Sequence, residues 1–430
     1  MKKFMIVMFL LMITAGESFS LPSKYDLRDY GRITGVKHQG IPGPCWAFAA
    51  LGAMESNWLT QGLGKVPDLS EMQIAFYCYR DSEKSRNFSS RIKSGTLSLE
   101  GQVFMPVAMM SRLSGPTDEK SLPYSTALND SQKRELTRKA PEKFKRSMRL
   151  RDAYFMQGNS ILSDSEKKRL IMNHGAIVVS IYSDLDSYHT KGGHYTYFNN
   201  SRGEATNHDV LIAGWDDDFP RENFTPKPQR KGAWLVKNSW GTTRGSEGGY
   251  FWMSYEQYST GGTAFIVERN NSRLKHYGYD DLGFCGGVKY SWCANVFRVS
   301  GKMESLKESA FYTLTNNTEY EVYVYHNGKK FPARPNDGEM IASVKGVQEY
   351  AGYHTVSFPE SFTLREGEYF SVVLKLSGGY VPAEMKCKGY SENAEVNRDE
   401  SYFSADGVSW SDGVNIGGNA CVKAFTVLRR

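Results

Sequence analysis

The sequence predicts an α+β domain followed by an all-β sandwich of jelly-roll type. Helix signals gather in the first part of the chain and buried strand-like runs follow them, the order expected of an α+β domain with two segregated halves. Beyond about residue 280 only short alternating runs remain, divided by Asn-Asn, Asn-Gly, Asp-Gly and Gly-Gly turns, and no helix signal competes with them. At 430 residues the chain also has room for two or three domains of ~100–200 residues each.

Composition narrows the class. Hydrophobic residues at 40% and charged residues at 23% fit a globular protein and exclude a disordered, collagenous or coiled-coil chain. Aromatics at 13%, with 26 Tyr and 41 Gly, favour strands and tight turns. The net charge of +6 is concentrated between Lys133 and Arg151, where nine Lys or Arg face two Glu. The rest is near neutral, so no distributed nucleic-acid surface is expected, and the basic stretch reads as a solvated surface insertion, with a partner-binding patch as the alternative.

From the N-terminus, Lys2 and Lys3 precede an apolar run from Phe4 to Ile13, then the small residues Ala15, Gly16, Ser18 and Ser20. That pattern predicts a secretory signal peptide over 1–20 and a mature chain starting near Leu21. The run is shorter than the ~20 residues a bilayer requires, and no later segment is long enough, so no transmembrane segment is expected. The protein is expected to be exported: periplasmic, secreted or non-covalently associated with the cell surface.

The first domain is assigned to 21–268. A strong helix signal runs from Cys45 to about Gln61, after Pro42 and Pro44 and before Gly62 and Gly64. Leu69-Ser70-Glu71 opens a short second helix, and Gln102 to Arg112 reads as a third, weakened by Pro106. Ser163 to His174 is amphipathic, with Asp164 and Glu166 suited to its first turn. Buried runs at 176–182, 209–214 and 232–237 predict strands. Residues 269–280 are polar and turn-rich, a linker. The second domain, 281–430, carries alternating runs at 294–299, 308–314, 320–325, 353–358, 369–376 and 421–428.

An exported chain with six cysteines invites disulfides. Four of them, Cys285, Cys293, Cys387 and Cys421, lie in the second domain and allow three pairings, of which Cys285–Cys293 with Cys387–Cys421 joins near neighbours.

Three separated motifs point to one reaction. In Val36-Lys-His-Gln-Gly-Ile-Pro-Gly-Pro-Cys-Trp-Ala-Phe48, Cys45 stands at the first turn of a helix, where unpaired N–H groups and the helix dipole favour a thiolate. In Asn207-His-Asp-Val-Leu-Ile-Ala-Gly-Trp-Asp216, His208 enters a buried strand. In Trp234-Leu-Val-Lys-Asn-Ser-Trp-Gly241, Asn238 ends a strand beside Trp240. A thiol nucleophile needs a base, and the base needs a group that holds its tautomer and ring plane. His38, next to Gln39, reads as a loop residue. His189 and His194, around Gly192-Gly193, read as parts of a surface loop, so no metal site is assigned to them.

Gln-Gly before Cys-Trp-Ala-Phe, then Asn-His, then Lys-Asn-Ser-Trp-Gly, in that order, resembles the papain-like cysteine peptidases over roughly Leu21 to Glu268. The resemblance implies a two-lobed catalytic domain that hydrolyses peptide bonds without a cofactor. It implies Cys45 as nucleophile, His208 as general acid/base and Asn238 as its orienting partner. Gln39 and the backbone N–H of Cys45 would form the oxyanion hole, and Trp240 would cover the His–Asn hydrogen bond. Gly101, in Glu100-Gly101-Gln102, would present backbone to the substrate.

The departures from the family pattern are specific. Pro42 stands where a bridging Cys is usual, and the usual partner near Leu99–Gly101 is missing too, so that bridge is lost. Cys78 lies close to the family's second bridge position, yet no Cys follows it until Cys285, so a free buried thiol is expected, with an inter-domain bridge as the alternative. His208 lies 163 residues beyond Cys45 and Asn238 lies 193 beyond, against a usual ~130–150. The basic stretch 133–151 accounts for part of the excess. Only 24 residues separate Ser20 from Cys45, so synthesis without a folded N-terminal pro-domain is expected.

Phe104-Met105, Arg112-Leu-Ser-Gly-Pro116, Gly175-Ala-Ile-Val-Val-Ser180, Tyr279-Asp-Asp-Leu-Gly283, Ala294-Asn-Val-Phe297 and 316–325 extend the resemblance to the exported prokaryotic branch with a C-terminal lectin-like domain. "Lectin-like" describes a shape. Exposed Tyr and Trp could stack on cell-surface glycans, with structural support the simpler account. Asp280, Asp281 and the Asp216–Asp218 run are the Ca²⁺ candidates, with plain surface acidity the simpler account. The expected activity is cysteine endopeptidase action on protein or peptide substrates. The alternatives are a surface- or glycan-binding protein on a peptidase scaffold, and a papain-like transpeptidase.

Overall fold

The computed structural model describes residues 20–429, apart from 41–42, 81–87, 90, 94–95, 99, 133–134, 136–144, 157, 200 and 202. The apolar run read as a signal peptide, Pro42, Leu99 and most of the basic stretch that begins at Lys133 lie outside the described residues. No helix among those described is long and apolar enough to cross a membrane.

Four helices of the first domain fall where the sequence puts them. Helix α1, Cys45–Thr60, is buried from Trp46 to Trp58 and forms the spine of one lobe. Helix α2, Glu71–Tyr77, is capped by the Ser70 hydroxyl, which accepts from the N–H of Gln73 at 3.1 Å. Helix α3, Phe104–Ser111, tolerates Pro106 because the proline sits in the first turn, where its missing N–H has no intrahelical partner to lose. Helix α4, Asp164–His174, opens with a capping box: Ser163 accepts from the N–H of Glu166, and the Glu166 carboxylate accepts from the N–H of Ser163.

The second lobe is a sheet around His208–Asp216. That strand pairs antiparallel with Ile177–Ile181 on one side and Ala233–Lys237 on the other, and all of it except Asp216 is buried. Tyr188–Lys191 and His194–Tyr197 form a hairpin at the sheet's far end, so the segment holding His189 and His194 is paired strand and not a loop. His194 Nδ1 is 2.8 Å from a Glu247 carboxylate oxygen.

The second domain is an all-β sandwich. Its six-stranded sheet runs Glu339–Gln348, Thr318–His326, Tyr369–Leu376, Trp292–Arg298, Ser401–Ser404 and Ser411–Asp412. The facing layer is built from Leu274–Tyr277, Val422–Leu428, Met303–Thr313 and Gly352–Arg365. Phe297, Phe311, Val322, Phe370, Leu374, Phe403 and Val422 meet between the layers. Within the stretch read as a linker, Leu274–Tyr277 is a strand paired with Val422–Leu428; Tyr277 packs into the sandwich core and Leu274, on the opposite face, into the core cluster of the first domain.

The two domains share one 13-stranded sheet. Gly352–Arg365 of the second domain pairs with Met148–Phe155 of the first, through Gly352↔Tyr154 and Tyr353↔Ala153. Only glycine fits at 352, since a Cβ there would overlap the Ala153 carbonyl. Beside this seam Arg149, buried, lies between Glu268 at 2.7 Å and Glu308 at 2.6 Å. Thr355 donates from its N–H to Asp152 Oδ1 at 2.9 Å.

The neighbouring-cysteine pairing is corrected. The structure bonds Cys285 to Cys387, and Cys293 and Cys421 are free and buried. The reason is the strand Gly286–Val288, which pairs with Val381–Met385 and so carries Cys285 towards Cys387 and away from Cys293 in the sandwich core. Cys78 is a free buried thiol, and the inter-domain bridge weighed as its alternative is not formed.

Candidate active site

Cys45 is the first residue of α1 and is partly exposed, while the rest of the helix through Trp58 is buried. Pro44 supplies no side-chain cap; instead the N–H of Cys45 donates to the Gly43 carbonyl at 3.0 Å and that of Ala47 to the Pro44 carbonyl at 2.9 Å. The opposite lobe meets it through the strand His208–Asp216: the N–H of Asp209 donates to Sγ of Cys45 at 3.4 Å.

His208, 6% exposed, is 2.9 Å from Asn238, ring Nε2 to Oδ1. An amide oxygen only accepts, so Nε2 carries the proton and Nδ1 is the basic nitrogen of the neutral ring. Trp240 stacks on the imidazole with centroids 4.7 Å apart and planes 19° from parallel. The Arg244 guanidinium lies over the same indole, 4.5 Å from its ring centroid. Asn238 Oδ1 also accepts from the N–H of Ser239 at 2.8 Å, which fixes the amide's orientation.

Gln39 is buried and held at both ends. Its Oε1 accepts from the Ser239 hydroxyl at 2.5 Å, and its Nε2 donates to the Gly43 carbonyl at 3.2 Å, two residues before Cys45. Its backbone N–H donates to the Ser239 carbonyl at 2.8 Å. Gly101 packs against Trp46, where a Cβ would overlap the indole, so backbone lies flat beside the residue after Cys45. His38 turns its Nδ1 to the N–H of Gly40 at 3.0 Å and takes no part.

Burial sets the protonation states. It pushes the Cys45 thiol up to about 12, with the Asp209 carboxylate adding to the rise and backbone N–H groups opposing it. It pushes His208 down to about 4, against the Asn238 hydrogen bond and with Arg244 helping.

Beneath the site, charges are buried in company. Lys37 lies 2.7 Å from Glu71 and 3.8 Å from Glu55, and Glu55 also accepts from the Thr34 hydroxyl at 2.6 Å. Burial lowers Lys237, the residue before Asn238, to about 8. The acidic residues weighed as cation ligands are otherwise engaged. Asp280 is buried against Lys423, and Asp216, Asp217 and Asp218 face Lys24, Lys168 and Lys231. Among the described residues no group of three or more His, Cys, Asp or Glu forms a metal-binding constellation.

Ser239 and Asp209 lie inside the sequence motifs, yet nothing in those motifs assigns either a role. Ser239 stood in the Asn-Ser-Trp-Gly run, but its grip on Gln39 spans 200 residues of chain and carries no local signal. Arg244 was missed for the same reason.

A cysteine at a helix start, a histidine–asparagine pair under a tryptophan and a glutamine amide, held between two lobes, define the class. Residues 21–268 match the papain family of cysteine proteases, and the chain belongs to that family. Residues 276–426 match the lectin-like domain. Among curated relatives, the viral cathepsin of Spodoptera litura multicapsid nucleopolyhedrovirus is 31% identical over 238 residues, 55% of this chain and 58% of its own. The probable cysteine protease RD19B of Arabidopsis thaliana is 28% identical over 233 residues, 54% of this chain and 58% of its own. The chain thus spans little more than half the length of these relatives. The cysteine protease and lectin-like domains of Cwp84, a surface layer associated protein of Clostridium difficile, superpose with a TM-score of 0.78 at 24% identity, covering 95% of this chain and 89% of that one. That likeness establishes a shared two-domain fold.

Proposed function

We propose that the protein is an exported cysteine endopeptidase that cleaves protein or peptide substrates through Cys45, His208 and Asn238. The observation that carries the reading is the His208–Asn238 hydrogen bond under Trp240, on the strand whose next N–H touches Cys45 Sγ.

In this mechanism, Sγ attacks the scissile carbonyl carbon while the thiol proton passes to Nδ1 of His208. The carbonyl oxygen becomes an oxyanion held by the Gln39 amide and the Cys45 N–H. His208 returns the proton to the leaving amine as the C–N bond breaks, which leaves a thioester on Cys45. Water, deprotonated by His208, then attacks the thioester and releases the acid and the free thiol. Asn238 keeps Nε2 protonated and the ring in plane, and Trp240 keeps water from that bond. Gly101 offers backbone to the substrate chain.

Export rests on the signal pattern over 1–20 and agrees with the surface-layer association of Cwp84. The lectin-like match supports a second, binding role for the C-terminal domain. A cleft of about 380 Å³ there, lined by Tyr277, Tyr279, Arg298, Asn393, Asn397 and Glu400, has the aromatic and polar surface that a cell-surface glycan would use.

Incubating the purified chain from Leu21 with an epoxide thiol-peptidase inhibitor tests the peptidase reading. A single adduct on Cys45, lost in His208→Ala, is expected, together with peptide hydrolysis that Cys45→Ala abolishes. Hydrolysis that survives Cys45→Ala would overturn it, and ligated product with an added amine would indicate a transpeptidase.

A further inference from the structure

Asp209 follows His208 in its strand and sits beside the nucleophile. Its N–H reaches Cys45 Sγ, and its side chain crosses to the neighbouring strand, where Oδ1 accepts from the Ser180 hydroxyl at 2.5 Å. The residue is 8% exposed. Oδ2 has no hydrogen-bond partner among the described residues, and it is not one of the partnerless atoms sealed from solvent.

No Lys, Arg or His forms an ion pair with Asp209 among the described residues. Several other buried carboxylates have a cation: Glu71 has Lys37, Glu304 has Lys275, Glu308 has Arg149, and Asp280 has Lys423, while Glu384, without one, has a neutral donor on each oxygen, the Leu282 N–H and the Asn419 amide. Burying a carboxylate without a counter-charge is costly. Here burial pushes Asp209 up to about 6, and its charge in turn disfavours the Cys45 thiolate. An asparagine would keep the Ser180 bond without either penalty. An unpaired anion retained at this point fits a cation that arrives with the substrate.

We infer that Asp209 is a specificity determinant whose carboxylate receives a positively charged substrate side chain beside Cys45, which makes Lys- or Arg-containing peptides the favoured substrate class. The inference rests on the peptidase reading above. An ammonium or guanidinium group donates to Oδ2 and cancels the charge that opposes the thiolate. A cationic side chain then raises kcat as well as lowering KM.

The test is a set of methanethiosulfonate reagents of equal reach, bearing a trimethylammonium, a neutral methyl or a sulfonate group, with the Cys45 adduct read by mass spectrometry. In the native protein the cationic reagent should react about tenfold or more faster than the neutral one, and the anionic reagent slowest, with the spread shrinking in high salt. Asp209→Asn should bring the three rates within about twofold. A matched peptide series with Arg, Lys, Met or Leu in turn at each position should show the same preference in kcat/KM and the same loss. Equal rates for the three reagents in the native protein would overturn the inference without need of a variant. So would a preference that Asp209→Asn leaves intact. Charge-selective labelling without hydrolysis of any peptide would instead overturn the peptidase reading while supporting the cation site. Hydrolysis with no charge preference would overturn the cation site alone.

Discussion

The Ser239 hydroxyl donates to Oε1 of Gln39 at 2.5 Å, so the residue after Asn238 decides which end of the Gln39 amide faces the start of α1. Because Oε1 is occupied, the amino group must point towards Gly43 and Cys45. The strand end that holds the histidine's partner therefore also orients the proposed oxyanion donor.

Removing that hydroxyl should cost turnover more than binding. In Ser239→Ala the Gln39 amide is free to rotate, and kcat should fall about tenfold with KM little changed. Gln39→Ala removes the donor itself and should lower kcat by ~10²–10³. Steady-state kinetics on one peptide, side by side, check the order of the two effects. Equal losses would mean that Ser239 does more than orient the amide.

Trp240 should govern the acid limb of activity. Its indole contributes to the burial that holds His208 down at about 4 against an ordinary 6.5. Trp240→Ala admits water, lets the imidazole value rise, and so leaves less neutral base at mildly acidic pH. The acid limb of kcat/KM should move to higher pH, and the maximum should drop about tenfold. An unmoved limb would assign His208's low value to other groups.

The seam between the domains should be a stability hot spot. Arg149→Met leaves Glu268 and Glu308 facing each other with only Arg151 between them, at 3.5 and 3.3 Å. A loss of about 3 kcal/mol is expected in urea unfolding, with the two domains unfolding together in the native protein because they share a sheet.

Acid should weaken the same seam through His354, which is buried with Nε2 3.0 Å from the Thr313 hydroxyl and Nδ1 unpartnered. Burial lowers it from 6.5 to about 3. Its contribution is complete above about 6.5 and is lost as pH falls through about 3, since the unfolded chain takes up the proton first. His354→Gln should therefore lose on the order of 4 kcal/mol less than the native protein across that window. Thermal melts at stepped pH read the difference directly.

Non-reducing peptide mapping should recover Cys285 linked to Cys387, with Cys293 and Cys421 alkylated only after unfolding. The bond spans 102 residues, so reduction should cost about 4 kcal/mol of second-domain stability.

The sequence by itself determined the helices and the central strands and named the candidate residues of the site. Those features rest on short-range chemistry: Pro44 before Cys45, the Ser163–Glu166 capping box, turn dipeptides and compact motifs around Cys45, His208 and Asn238. Gly286–Val288, Glu339–Gln348 and Val381–Met385 were not legible, because weakly alternating strands are stabilised by the partners they meet and not by their own pattern. Only the tertiary structure decided the Cys285–Cys387 pairing, the sheet running through Tyr154 and Gly352, the Ser239 hold on Gln39 and the solitary charge of Asp209. Each depends on which residues, far apart in the chain, the fold brings within a few ångströms, and hydrogen bonds, disulfides and desolvation act only over that range.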